Sequence, residues 1–219
     1  MKVKLKSLLL CGSFIGIFLL LATQAFADSE DTPIINAADY QDEEKLQEEV
    51  SQLLSDPTVT GVTVVNKSQM NNSFGTRLAI GSFRSYGEYL VQRLPNAGYT
   101  YGSTIHAAAS DPDITMNLDY STNLAASITN ESDLSAMYLS LAAGFSVTGS
   151  YPVSYSGSIQ APETNDGKTV DKLTMKAYPV YEKIRMNIWK NGKYQGITIV
   201  KKPVGIYYKK GFTYENPAQ

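Results

Sequence analysis

The chain has 219 residues, a formal charge of −2, one histidine and one cysteine. That length suits one substantial domain or a small pair. One histidine argues against a four-ligand structural zinc site and leaves any Ser or Cys nucleophile with His106 as its sole histidine base. The sequence holds no phosphate loop and no dinucleotide fingerprint, so it is read as a protein that uses no cofactor or metal and is not an enzyme.

Lys2, Lys4 and Lys6 precede an apolar stretch over 8–21, and Ala25-Phe26-Ala27 forms a small-residue cleavage site. This is the pattern of a secretory signal peptide over 1–27. Cys11 would leave with the leader, so the exported domain relies on packing instead of disulfides. The next segment, 28–57, carries ten carboxylates against Lys45 alone. It is expected to be an acidic helical or flexible segment ahead of a β-rich domain over 58–219. Asp39 is placed to cap the helix, Leu46, Val50, Leu53 and Leu54 form a narrow apolar stripe, and Pro57 ends it. Such a segment serves as a solvated linker, as a detachable mask, or as a partner folded onto a basic face.

Residues 59–65 and 76–83 read as strands. Ser85 and Glu88 have capping-box spacing and Pro95 blocks continuation, which predicts a short helix over 85–94. Two long alternating runs follow. Over 114–129, Ile114, Met116, Leu118 and Tyr120 face one way, while Thr115, Asn117, Asp119 and Ser121 face the other. Over 145–160, Phe145, Val147, Tyr151, Val153, Tyr155 and Ile159 alternate with Ser, Thr, Pro and Gln, without a charge. Alternation of this kind gives a strand with one apolar and one hydroxyl or amide face. Between the runs, Leu134, Met137, Tyr138 and Leu141 repeat at helical spacing. Asn130, Ser132 and Asp133 can cap that helix and Gly144 can close it; a strand continuing the hairpin is the competing reading.

Asn165-Asp166-Gly167 is a turn, after which 170–177 alternates again. Asn191-Gly192 is a favoured two-residue hairpin turn that sets Trp189 opposite Tyr194, Met186 opposite Ile197 and Ile184 opposite Ile199. Pro179 and Pro203 suit bulges or sheet edges. The fold class is therefore mainly β: an elongated antiparallel β-sandwich with two long Ser/Thr-alternating strands and one to three short helices.

Charge is distributed unevenly. Residues 94–167 contain no Lys or Arg, whereas 168–210 contain eleven against Asp171 and Glu182. Lys176, Tyr178, Tyr181, Lys183, Arg185, Trp189, Tyr194, Lys201, Lys202, Tyr207, Lys209 and Lys210 then form the candidate binding set, with cationic and stacking chemistry interleaved. For an exported chain the expected partner is an anionic cell-wall polymer, polysaccharide or lipid surface, and not nucleic acid.

The stretches Gly-Phe-Ser-Val-Thr-Gly-Ser (144–150), Ala-Tyr-Pro-Val-Tyr-Glu-Lys (177–183) and Lys-Pro-Val-Gly-Ile-Tyr-Tyr (202–208) resemble those of uncharacterised exported proteins of Gram-positive bacteria, which implies secretion and no particular activity. Gly81-Ser82-Phe83-Arg84-Ser85 with Gly98-Tyr99 is similar to the first half of a sporulation-related peptidoglycan-binding repeat, whose second half is missing. The two alternating runs resemble, in pattern, the stem of aerolysin-like pore-forming proteins, from which Asp119 and Pro152 depart. That resemblance implies a membrane-inserting alternative: several chains would close a barrel with Ile114, Met116, Leu118, Phe145, Val147, Tyr151, Val153, Tyr155 and Ile159 toward lipid.

Overall fold

The computed structural model describes residues 32–66, 77–129, 133–155 and 157–215; residues 1–31, with the expected signal peptide, and the capping candidates Asn130 and Ser132 lie outside them. The described chain begins with β1 (Ile34–Asn36), a 3-10 turn (Ala37–Asp39), helix α1 (Glu43–Ser55) and β2 (Gly61–Val65). A tight hairpin, β3 (Phe83–Tyr86) and β4 (Tyr89–Arg93), is followed by β5 (Tyr99–Tyr101) and β6 (His106–Ser110). The first alternating run becomes β7 (Thr115–Asn117), β8 (Tyr120–Ala125) and β9 (Ser127–Thr129). Helix α2 (Ala136–Ala143) leads to the second run, β10 (Ser150–Tyr155) and β11 (Ser158–Gln160). The chain ends in β12 (Thr164–Asn165), β13 (Lys168–Lys190) and β14 (Lys193–Tyr214).

The β13–β14 hairpin organises everything else. Its strands have 23 and 22 residues, against a usual length of about 5 or 6. Asn191 and Gly192 both take positive φ, 50° and 75°, the type I′ geometry that matches strand twist. Strands β4, β5, β6 and β12 pair along β13, with β3 beyond β4; β2 and β9 pair along β14, with β1 parallel to β2 at the edge. The rest of this sheet is antiparallel. Pro203 and Val204 lie at a bulge where Val180 pairs with Gly205 but Tyr181 with Pro203. Pro203 has no N–H to lose at such a point.

The second layer is the pair of alternating runs. Ser150 pairs with Ala125 through to Tyr155 with Tyr120, and Ser158 with Asn117 through to Gln160 with Thr115. No residue is gained or lost across the break, which Leu118 bridges by donating its N–H to the Gly157 carbonyl at 2.7 Å. The apolar side of this ladder lies on the main sheet. Met116, Leu118, Val153, Tyr155 and Ile159 join Leu173, Met175, Ile206 and Tyr208 in one core, and Phe145, Val147 and Tyr151 join Ile184, Met186, Ile188 and Val200 in another. Thus eight of the nine proposed stem residues are interior to a sandwich, while Ile114 is 55% exposed. Each large apolar side chain so buried contributes about 1.5–3 kcal/mol.

Several expectations are corrected. Residues 85–94 form the β3–β4 hairpin, not a helix: Gly87 has φ 60°, which fits the first central position of a type II′ turn, and β4 is held along β13 from Met186 to Lys190. Tertiary pairing overrides the local capping signal. Within 76–83 only Phe83 belongs to a strand, with residue 76 outside the described set. Residues 145–149 are a turn ahead of β10. Residues 134–144 hold a helix, capped by the Ser135 hydroxyl and closed by Gly144 in the left-handed region at φ 79°. In the terminal hairpin a bulge between Ile188 and Trp189 keeps Trp189 opposite Tyr194 but moves Met186 to Thr198 and Ile184 to Val200. The shift hides Val200 and turns Ile197 and Ile199 to the other face.

Residues 43–55 of the acidic segment form a helix packed against the first core. Asp42, not Asp39, caps α1 by accepting from the Glu44 N–H at 3.0 Å, and Glu43 and Glu44 complement the helix dipole. Leu46, Val50 and Leu54 are buried in the first core. At the far end the Lys210 ammonium donates to the carbonyls of Leu54, at 2.7 Å, and Asp56. A cation at the negative pole of the helix ties α1 to β14.

Two interior phenols set an alkaline limit on this fold. Tyr155 and Tyr208 are 5% and 2% exposed, and burial raises both phenols far above their usual value of 10. The unfolded chain therefore releases these protons first. Their contribution is complete below pH 10 and is lost as pH rises, at about 1.4 kcal/mol per unit for each group. Burial lowers Lys202 and Lys210, an opposing effect up to the ordinary lysine range that ends where tyrosine ionisation continues. Unfolding above pH 10 should thus coincide with a step in tyrosinate absorbance. Smooth tyrosine ionisation in a chain that stays folded would contradict this.

Candidate functional site

Alternation along β13 and β14 separates an inner face, packed on the second layer, from an outer face. Ten of the twelve candidate binding residues are on the outer one: Lys176, Tyr178, Tyr181, Lys183, Arg185 and Trp189 on β13, and Tyr194, Lys201, Tyr207 and Lys209 on β14; Tyr178 is nevertheless buried there, at 7% exposed, under its aromatic neighbours. Lys202 and Lys210 are 1% and 7% exposed and point inward, so they do not belong to that surface. Their neighbours Lys201 and Lys209 take the outer positions, as adjacent strand residues must face oppositely.

The outer face is ordered by cross-strand register. Lys176 is opposite Lys209, Tyr178 opposite Tyr207, Lys183 opposite Lys201, Arg185 opposite Ile199, and Trp189 opposite Tyr194. Beside the lysines, the flanking strands place Ala107 next to Lys176, Gly61 next to Lys209 and Ser127 next to Lys201. Between the lysine pairs sits a tyrosine cluster, with Tyr207 stacked on Tyr178 at 5.8 Å and against Tyr101 at 4.8 Å. Val65, Val180 and Val204 lie beneath it as a third small core. Gly61 is needed here, because a Cβ would stand 2.6 Å from the Tyr207 ring and 2.4 Å from the Tyr208 carbonyl oxygen.

At the turn end the face becomes aromatic and apolar. Trp189 lies 5.5 Å from Tyr194 and 5.9 Å from Phe83, and Leu90 is registered beside Trp189. Phe83 and Tyr194 are each 54% exposed and Leu90 36%. Three polar side chains among them are linked in a chain. Tyr194 donates its hydroxyl to Asn187 Oδ1 at 3.1 Å, and Asn187 donates Nδ2 to Gln92 Oε1 at 3.1 Å. Phe83, Leu90 and Tyr101 escaped the sequence reading. The Gly87-Glu88 pair flanked by Tyr86 and Tyr89 was the signal that would have found the first two, since it marks a hairpin and returns both to one face.

The inner face carries a buried polar cluster. Glu182, 3% exposed, accepts from Asn96 Nδ2 at 2.6 Å and Arg77 Nη2 at 3.2 Å. Arg93 donates to the Leu78 carbonyl at 3.0 Å and to Asn96 Oδ1 at 2.8 Å. Burial, then the adjacent Arg77, lowers the Arg93 guanidinium to about 10. Lys202 is registered opposite Glu182, with its ammonium 5.0 Å from the Tyr151 ring centre and 5.3 Å from that of Phe145. His106 is exposed at the start of β6, its ring 6.0 Å from that of Tyr120. Among the described residues no three His, Cys, Asp or Glu side chains converge as metal ligands.

Comparison of the chain with protein-family models and with characterised proteins finds no match.

Proposed function

We propose that this is an exported, non-enzymatic protein that binds an anionic component of a cell wall or cell surface through the outer face of the β13–β14 hairpin. The observation that carries this reading is the pairing of like charges. Lys183 faces Lys201, an arrangement that destabilises an antiparallel pair on its own. An anionic chain or headgroup layer across the face removes that repulsion, and the partly exposed Tyr181 and Tyr207 on the same face add ring surface for stacking and cation contacts.

The test is charge reversal of Lys176, Lys183, Lys201 and Lys209 to Glu, none of which lies in a core. At about 1 kcal/mol for each basic residue near an anionic surface, adsorption to anionic vesicles and wall polymer should fall at least about a hundredfold. Wild-type adsorption should weaken steeply with salt. Adsorption unchanged by the four reversals would dispose of the reading. Lys202 and Lys210 are left intact, since reversing either would damage the core and imitate a loss of binding.

One observation favours the membrane-inserting alternative. Within the 114–129 and 145–160 segments, residues 115–125 and 150–160 pair in one constant register, and Asp119 is the one charge they carry. On this reading several chains associate and the ladder leaves the main sheet to enter a barrel. The same vesicles, loaded with dye, decide it: release accompanied by heat-resistant oligomers supports insertion, and vesicles that bind protein yet stay sealed remove it.

A further inference from the structure

We propose that the turn end of the outer face, built by Phe83, Leu90, Trp189 and Tyr194, docks into the interfacial layer of an anionic phospholipid bilayer. This rests on the reading that the outer face binds anionic surfaces, and it names the lipid surface as the partner. The four side chains come from four adjacent strands, β3, β4, β13 and β14, and lie side by side because register places them so. Phe83 and Tyr194 are more than half exposed and Leu90 is 36% exposed, so these large side chains are grouped on the surface and not scattered singly.

Its chemistry separates lipid from sugar. A glycan platform presents ring faces together with open hydrogen-bonding groups for the hydroxyls. Here Tyr194, Asn187 and Gln92 are bonded to one another, and the group beside the rings is the aliphatic Leu90. Trp and Tyr are the residues that settle at the headgroup level of a membrane. Farther along the same face, Lys183 and Lys201 lie opposite each other with Arg185 beside them, a basic border suited to anionic headgroups. Glu88, at the β3–β4 turn, is engaged by Lys190 at 3.3 Å. An apolar patch plus a basic border supplies two weak signals, which together hold a protein at a surface without a span.

Trp189 is the only tryptophan of the chain, so its fluorescence reports this site alone. The protein is titrated with vesicles of equal phosphatidylglycerol and phosphatidylcholine, and in parallel with soluble teichoic acid. Docking is expected to shift the emission to the blue and to make it quenchable by lipids brominated near the headgroup. Changing both Phe83→Ser and Leu90→Ser should weaken vesicle binding at least about tenfold, for two lost apolar contacts, while leaving adsorption to teichoic acid as it was. Far-UV circular dichroism checks that the variant is folded. Vesicle binding with unshifted, unquenched emission would overturn the proposal, as would a folded double variant that binds vesicles normally. Binding to teichoic acid alone would overturn it too but leave the parent reading standing. Binding to neither would remove both.

Discussion

Gly205→Ala is expected to cost about 3 kcal/mol or more and to leave little folded protein at 37 °C. Gly205 pairs with Val65 where β14 meets β2, and a Cβ there would stand 1.9 Å from the Val64 carbonyl oxygen and 2.8 Å from the Val65 Cα. Both obstacles are backbone atoms, which no rotamer change can move. Overpacking against side chains costs about 1–3 kcal/mol, and separating two paired strands lies at or above the upper end. Since β2 also anchors β1 and supports α1 through Val62 and Val64, the damage would spread into the first core. Gly211→Ala is the control: its Cβ would meet only the Thr174 hydroxyl, at 3.1 Å, and urea melts should place it within about 1 kcal/mol of wild type. Equal midpoints for the two variants would show that the close approach of β2 is not required.

Glu182→Leu should be nearly as damaging for an electrostatic reason. Arg77 and Asn96 converge on this carboxylate and Lys202 lies opposite it across the hairpin. Removing the anion leaves cations in the interior uncompensated, at a cost of about 3–5 kcal/mol. For a domain of this size the melting temperature should fall by on the order of 10 °C. Adding Lys202→Met to that variant removes the buried cation registered opposite position 182 and supplies an apolar chain of similar length beside Phe145 and Tyr151, so the double variant should be more stable than the single one. If the second change deepens the loss instead, the cost at Glu182 is one of packing and not of charge.

The parts legible in the sequence are those where one local signal suffices. Asn191-Gly192 and Asp166-Gly167 adopt the positive φ values their residue types allow, and the alternation over 114–129 and 145–160 correctly separates apolar from polar faces. What escaped depends on contacts distant in sequence. The capping-box spacing of Ser85 and Glu88 is real, but pairing of β4 with β13 outweighs it. Single-residue bulges at Val204 and near Trp189 change which partner each later residue meets, and a slip of one residue exchanges the two faces of a strand. Ten of the twelve candidate residues share the outer face, and Lys202 and Lys210 do not. There alternation was itself the missed signal, because two adjacent lysines in a strand cannot share a face.

Pro152 gives the second layer a property beyond its own packing. The bonds from Ala126 N–H to the Gly149 carbonyl and from Leu118 N–H to the Gly157 carbonyl assign the odd-numbered residues of β10 to the ladder and turn the even-numbered ones to its far edge. Proline at an even position therefore sacrifices no bond in the folded monomer, yet it deprives that edge of a donor just where a strand from another molecule would attach. While the protein is monomeric this discourages accretion of chains into fibrils. In a closed barrel the same edge must be paired inside lipid, and every subunit would bring one carbonyl without its natural donor, a debt of several kcal/mol that grows with the size of the ring.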